Sequence, residues 1–225
     1  MLDSGSCDRT PIIAEQFNAR FVYRALDNFK NQRNYALSLC QHDWVLSLDS
    51  DEIPTAEFIA ELAYLKEINF RPVASEIDAY RIQRRWFVLG REVHNFYPSS
   101  CPDYPLRLFD KTRVCFDNTS NGVHETPAGF RACARMTGWV NHYCCDTVTE
   151  LMDRLNYYSS LAAQDLKACN KRFSKASIFL SPISAWLKWY FSKKGYKDGR
   201  IGFLLAAYAA QYTFFKYLKY HFEIS

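Results

Sequence analysis

The chain lacks any uninterrupted apolar run of the roughly 18 residues that a spanning helix needs. MLDSGSCDRT does not read as a secretory leader, having neither a basic start nor an apolar stretch. No internal repeat and no low-complexity tract is present, which excludes collagen-like and disordered polymers. No two of its eight cysteines have CxxC spacing, and Cys144 and Cys145 are adjacent, which suits neither a zinc ribbon nor a ready disulfide. The cysteines therefore read as reduced, packed thiols of a cytosolic protein. A basic, polar groove is missing too, because the basic stretch is interleaved with long apolar runs. Nucleic acid is not an expected partner.

What is present is enough for a buried core. The chain has 225 residues, 48% of them hydrophobic and 23% charged, which needs no disulfide or metal staple to fold. The net charge of +4 hides an uneven distribution. Residues 1–150 hold 16 Lys and Arg against 20 Asp and Glu, whereas residues 151–225 hold 12 against 4. The second stretch also carries 17 of the 37 aromatic residues. An acidic body of residues 1–150 followed by a basic, aromatic, helical region of 151–225 points to an anionic surface as partner.

Along the chain, Asp3-Ser4-Gly5-Ser6 is turn-rich and Phe21-Val22-Tyr23 is strand-like. Asn31–Leu39 begins a helix, and Trp44–Leu48 reads as a buried strand. Thr55–Ile68 reads as a helix capped by Thr55, with Glu57 at its positive end and Phe58, Ile59, Leu62 and Leu65 at helical spacing. Ala79–Val88, Leu106–Phe109 and Trp139–Tyr143 read as strands, and the pattern turns helical from Glu150. Strands alternating with helices predict an α/β fold with a mixed sheet. Residues 177–191 are apolar with a proline break, Lys193, Lys194, Lys197 and Arg200 follow, and Ile201–Phe215 is apolar again. Such a helix pair suits an in-plane seat on a membrane, with packing on the body or on a second copy as the alternative.

Two acidic loops carry the chemistry. Asp49 and Asp51 stand two residues apart just past a predicted strand, at the sheet edge where open α/β sheets bind ligands. Both can face one point and share a divalent cation with phosphate oxygens, or the loop can simply cap the next helix. A calcium loop is the less expected reading, since its other oxygen ligands and glycine are missing. In Asp3–Thr10, a glycine lets the backbone approach a nucleotide, with an Asx turn as the alternative.

Together these segments resemble something specific. Asp3-Ser4-Gly5-Ser6-x-Asp8-x-Thr10, Gln32-Arg33-Asn34 and Trp44-Val-Leu-Ser-Leu-Asp-Ser-Asp-Glu52 are similar to a family 2 glycosyltransferase of the GT-A fold. Arg84-Arg85, Gly90-Arg91, Arg107-Leu108-Phe109, Val123-His124-Glu125, His142 and Gly195–Gly202 follow in order, as in the branch of lipopolysaccharide core glucosyltransferases. The resemblance implies an inverting, metal-dependent transfer from a nucleotide-sugar, UDP-linked by expectation, to a lipopolysaccharide-core or other lipid-linked acceptor. It places Asp3 and Ser4 at the nucleotide, Asp49 near ribose and diphosphate, and Asp51 on Mg²⁺ or Mn²⁺, while Arg33 and Asn34 suit either the donor or an amphipathic helix start. Glu125 falls at the general-base position, in a His-Glu pair where the family more often has Glu-Asp. His142 matches a late metal or diphosphate ligand, or else a hydrogen-bonded histidine at a strand end. Arg107 suits a phosphate or a structural ion pair. The expected location is the cytoplasmic side of the inner membrane, peripherally attached. The family has a further strand before the Asp3 motif, so the chain reads as N-terminally truncated. A truncated, inactive remnant that only binds membranes is the competing reading. A nucleotidyltransferase would show a glycine- and lysine-rich loop near its start, and none is present.

Overall fold

The structure, a computed structural model, describes residues 1–70, 76–118, 125–169 and 172–223, without the side chains of Asn118, Glu125 and Thr126. In chain order its elements are β1 (Leu2–Asp3), α1 (Thr10–Gln16), β2 (Val22–Tyr23), α2 (Phe29–Leu39), β3 (Trp44–Leu46), β4 (Glu52–Pro54) and α3 (Ala56–Glu67). Then come β5 (Ile77–Val88), β6 (Arg91–Val93), β7 (Asn95–Phe96), β8 (Ser99–Ser100), β9 (Leu106–Asp110), β10 (Cys115–Asn118), β11 (Glu125–Ala128) and β12 (Ala132–Cys145). Helices α4 (Val148–Ala168), α5 (Ser177–Leu187) and α6 (Gly199–Phe222) complete the chain, with a π turn at Lys188–Ser192 and a 3-10 turn at Gly195–Asp198. The expected mixed α/β architecture is what forms: β1 and β2 are parallel, while β3 with β9, β4 with β12, β5 with β6, β7 with β8 and β10 with β11 pair antiparallel.

The chain divides into two compact units. The first comprises Met1–Ser47, Phe70–Tyr80 and Leu106–Ala134. Here β3 pairs with β9, aligning Val45 with Phe109, and β10 pairs with β11. Leu37 of α2 joins Val45, Ala79, Leu106, Phe109, Val114 and Phe116 in one apolar core. The first turn of α2 is held by Asn28, whose side chain accepts from the Asn31 N–H. The predicted strand at Trp44–Leu48 is shorter than expected and only Val45 in it is buried. Helix α1 follows an Asx turn in which Asp8 accepts from the Thr10 N–H at 2.9 Å, the alternative read for Asp3–Thr10; its seven residues with Pro11 in the first turn bury only Ala14.

The second unit comprises Leu48–Asn69, Arg81–Pro105 and Arg135–Ser225. In it β4 pairs with β12, placing Glu52 opposite His142, and β6 pairs with the end of β5. Trp86, Val88, Val93, Phe96, Cys144, Cys145, Leu151, Leu155, Ile201, Leu205 and Tyr208 form its core. Thr55 caps α3 as predicted, accepting from the Phe58 N–H, but Ile59 faces solvent at 57% exposure. The predicted strand at Trp139–Tyr143 is the later part of a longer one, Ala132–Cys145. Gly138 extends it because α3 crosses there: a Cβ on Gly138 would stand 2.4 Å from the Phe58 Cα. Glu61 fixes this crossing by accepting from the N–H groups of Thr137 and Gly138.

The expected proline break does not occur. Pro182 lies inside α5, where it removes a single helical hydrogen bond, and packing of α5 against α6 outweighs that loss. The spaced glycines at 195 and 202 have a packing reason: a Cβ on Gly202 would stand 1.8 Å from the Gly195 carbonyl oxygen. Helix α6 is stitched to α4 by Lys219, whose buried ammonium donates to the Asn156 carbonyl and side-chain oxygens and to the hydroxyls of Ser159 and Ser160. Among the described residues no helix is long and apolar enough to cross a membrane.

Candidate metal and donor site

The site forms where β4 and β12 begin their pairing. Side chains alternate across a strand, so even-numbered residues of β12 share one face. His142 therefore lies on the same face as Val140 and Cys144, and all three are buried. The Asp49–Glu52 turn brings Asp51 against that face. The Asp51 carbonyl accepts from the Tyr143 N–H at 2.9 Å, and Asp51 Oδ2 lies 3.0 Å from His142 Nε2. Burial is the strongest influence on the Asp51 carboxyl and opposes its ionisation. The hydrogen bond and charge of His142, with the Arg154 guanidinium, overcome it and hold the group below the ordinary carboxylate range.

Two buried atoms at this point, Asp51 Oδ1 and His142 Nδ1, have no hydrogen-bond partner among the described residues. Such atoms call for an explanation. A divalent cation fits the donor set. The two open atoms are a carboxylate oxygen and an imidazole nitrogen, both of them donors that a divalent cation accepts. Among the described residues no group of three His, Cys, Asp or Glu side chains is arranged to hold a metal. A cation here would rest on two protein groups and complete its shell with water and phosphate oxygens, the habit of Mg²⁺.

Asp49 is half-buried beside Asp51. Its N–H donates to Glu52 Oε2 and its carbonyl accepts from the Glu52 N–H, each at 3.0 Å. The Glu52 side chain has no exposed surface and is ion-paired to Arg84, which also pairs with Asp103. Asp103 accepts from the Trp86 indole at 3.0 Å, and the Trp86 ring meets His142 edge-on at 4.4 Å between centroids. Glu52, Arg84, Trp86 and Asp103 were not assigned roles from sequence. The readable signal was Arg84 two residues from Trp86 in a strand: both point to one face, and an arginine there demands carboxylate partners.

The remaining candidates lie in the first unit. Asp3 Oδ2 accepts from the N–H groups of Gly5 and Ser6 at 2.7 and 2.8 Å, and Oδ1 from the Ser6 hydroxyl at 2.6 Å. The Ser6 hydroxyl first, then these amides, keep the Asp3 carboxyl below its usual range. Ser4 accepts from the Gln32 amide at 3.0 Å. Arg33 lies over the Phe116 ring. Asn34 donates to the Phe116 carbonyl and accepts from its N–H, both at 2.9 Å, so both ends of its amide hold β10. Arg107 is buried in β9, where its carbonyl accepts from the Ser47 N–H. The Glu125 backbone opens β11, paired with Asn118, and its side chain lies outside the described residues, as does His124.

Comparison with known proteins gives the chain its family. The chain is 27% identical over 225 residues to LpsC of Rhizobium meliloti, a lipopolysaccharide core biosynthesis glycosyltransferase, covering 95% of this chain and 78% of that protein. It is 27% identical over 214 residues to an uncharacterized glycosyltransferase of Rickettsia felis, covering 91% and 73%. The crystal structure of S. aureus TarS 1-349 aligns with 99% of this chain and 81% of that one, at 12% identity and a TM-score of 0.36. The family model for glycosyl transferase family 2 matches residues 1–147. The chain belongs to glycosyl transferase family 2. For a family 2 glycosyltransferase, the Asp49–Asp51 turn and His142 both lie within the matched segment.

Proposed function

We propose that this family 2 glycosyltransferase moves a sugar, with inversion, from a nucleotide-sugar, UDP-linked by first choice, to a lipopolysaccharide-core or other lipid-linked glycan. The observation that carries the reading is the buried Asp51–His142 pair with one carboxylate oxygen left open at the end of the Asp49–Asp51 turn. Asp51 and His142 hold Mg²⁺ or Mn²⁺, which when bound offsets the charge that builds on the departing nucleoside diphosphate. Asp49 orients the ribose and diphosphate. Asp3, Ser4, Arg33, Asn34 and Arg107 serve the donor, Asn34 through the strand it fixes. Glu125 takes the proton of the acceptor hydroxyl as that oxygen bonds to the anomeric carbon. The bond from the anomeric carbon to the diphosphate oxygen breaks on the opposite face, and its electron pair leaves with the diphosphate.

We assign catalysis to residues 1–150 and the membrane side to 151–225. In α5 and the following π turn, Phe179, Ile183, Leu187 and Phe191 recur every four residues and are all exposed. Lys188, Lys193, Lys194, Lys197 and Arg200 lie exposed nearby. This combination suits a seat on the anionic inner face of the cytoplasmic membrane, where a lipid-linked acceptor is presented.

Calorimetric titration with UDP, with and without Mn²⁺, tests the donor site. Binding that requires Mn²⁺ and vanishes in Asp51→Ala is expected; folded wild-type chain that ignores Mn²⁺·UDP overturns the reading. Flotation with phosphatidylglycerol vesicles tests the membrane seat. The chain is expected to float, and the triple variant Phe179→Ser, Ile183→Ser, Phe191→Ser to remain below. Equal flotation of both overturns it.

A further inference from the structure

No step above uses Glu52, Arg84, Trp86 or Asp103, yet these residues form one connected polar group beside the two-aspartate turn. Charges held out of water in this way rarely add stability, since apolar replacements of the same volume serve as well or better. Their presence points to a geometric task. Two branches leave the Arg84 guanidinium. One runs through Glu52, which accepts the Asp49 N–H at 3.0 Å. The other runs through Asp103, the Trp86 indole at 3.0 Å and the edge-on contact of that ring with His142, to Asp51 Oδ2 at 3.0 Å from His142 Nε2. The turn is thus gripped at both aspartates from one side chain.

We propose that Arg84 is a positioning residue for the donor cation: through Glu52 and Asp103 it fixes the Asp49–Glu52 turn and the His142 ring so that the open oxygen of Asp51 keeps one direction. The inference rests on the reading of Asp51 and His142 as cation ligands. Arginine is required for it. Its planar fork reaches Glu52 through Nη1 and Asp103 through Nη2 and Nε together. A lysine offers one nitrogen and cannot span both carboxylates. Trp86 is required on the second branch for its N–H as well as its ring.

The test measures the affinity of Mn²⁺·UDP, the affinity of UDP without metal, and the thermal midpoint in Asp51→Ala, Arg84→Lys, Arg84→Met and Trp86→Phe. Positioning partners of metal ligands typically shift metal affinity about 10- to 100-fold when replaced. Arg84→Lys is expected to stay folded and to lose about 10-fold in Mn²⁺·UDP affinity, Arg84→Met to lose more, and Trp86→Phe to lose less, all with metal-free UDP affinity unchanged. Trp86→Phe keeps the ring and reports on the circuit if Arg84→Met fails to fold. Should Asp51→Ala bind Mn²⁺·UDP like the wild type, the cation reading itself fails. If Asp51→Ala loses binding while folded Arg84→Lys and Trp86→Phe titrate like the wild type, the positioning role alone is overturned. A lowered thermal midpoint with unchanged affinity overturns it equally, since that is what a purely structural network gives.

Discussion

The Asp3 loop and the Asp51 loop both place a carboxylate among small polar residues beside a short strand, and they use it in different ways. Asp3 turns its oxygens back on its own loop, accepting from Gly5, Ser6 and the Ser6 hydroxyl. Asp51 takes its partner from a distant strand, leaving one buried oxygen with no hydrogen-bond partner among the described residues. A carboxylate satisfied by its own backbone organises a loop. One held by a side chain 91 residues away in sequence, with an oxygen in reserve, is organised for something that arrives later. Sequence alone leaves each loop an ordinary turn as its alternative. The strand opposite decides between them.

The largest expected effect sharpens this contrast. Asp51→Ala should weaken Mn²⁺·UDP binding by roughly 100-fold or more, because a direct ligand is lost outright. Asp3→Ala should weaken it by less than about 10-fold, the range of a lost charge-assisted hydrogen bond, and by the same factor without Mn²⁺. Side-by-side calorimetry decides this. Equal losses with equal metal dependence would erase the distinction between the loops.

A second test acts through the strand that supports only one of them. Gly138 lies on β12, four residues before His142, with the Phe58 backbone where its Cβ would go. Gly138→Ala forces α3 off the strand, and neither side of that contact is a flexible side chain. The expected cost is about 3 kcal/mol, or about 6–12 °C in thermal midpoint for a chain of this size. Mn²⁺·UDP affinity should fall with it, while the amide resonances of Gly5 and Ser6 keep their positions. A midpoint within about 1 °C of wild type would contradict the tight crossing.

The same pair of loops shows how far sequence reading reaches. Local signals were legible because their causes are local. Thr55 caps α3 from three residues away, Ala79–Val88 alternates as a strand must, and the acidic pair stands out in a turn. The alternation of strand and helix patterns carried the mixed α/β class, and the resemblance carried the family. What escaped depends on partners distant in sequence. Glu52 stands in the acidic motif without an assigned role, and its burial goes with an ion pair to Arg84, 32 residues on. Asn34 looked available to a ligand until β10 took both ends of its amide. Ile59 falls at core spacing yet faces solvent, because α3 meets β12 through Phe58 and Gly138 instead. Pro182 is a helix breaker by rule, and packing on α6 overrides the rule.

The smallest effect concerns the Asp3 loop alone and is read by titration. The Ser6 hydroxyl is the largest influence lowering the Asp3 carboxyl below its ordinary value of 3.8. A carboxyl depressed in the folded chain adds stability that is complete above its unfolded value and is lost as pH falls through the folded one. The loop should therefore hold its amide positions at neutral pH and lose them only in acid. Ser6→Ala removes the hydroxyl and leaves the two backbone donors, so the Asp3 titration followed by NMR should move part of the way back toward 3.8. The acid loss of the loop should then begin at a higher pH. The ratio of UDP affinities with and without Mn²⁺ should not change, since the proposed cation ligands Asp51 and His142 are untouched. If the titration of Asp3 stays put in Ser6→Ala, the backbone donors alone organise the loop. If that ratio moves instead, the two loops are coupled and the distinction between them fails.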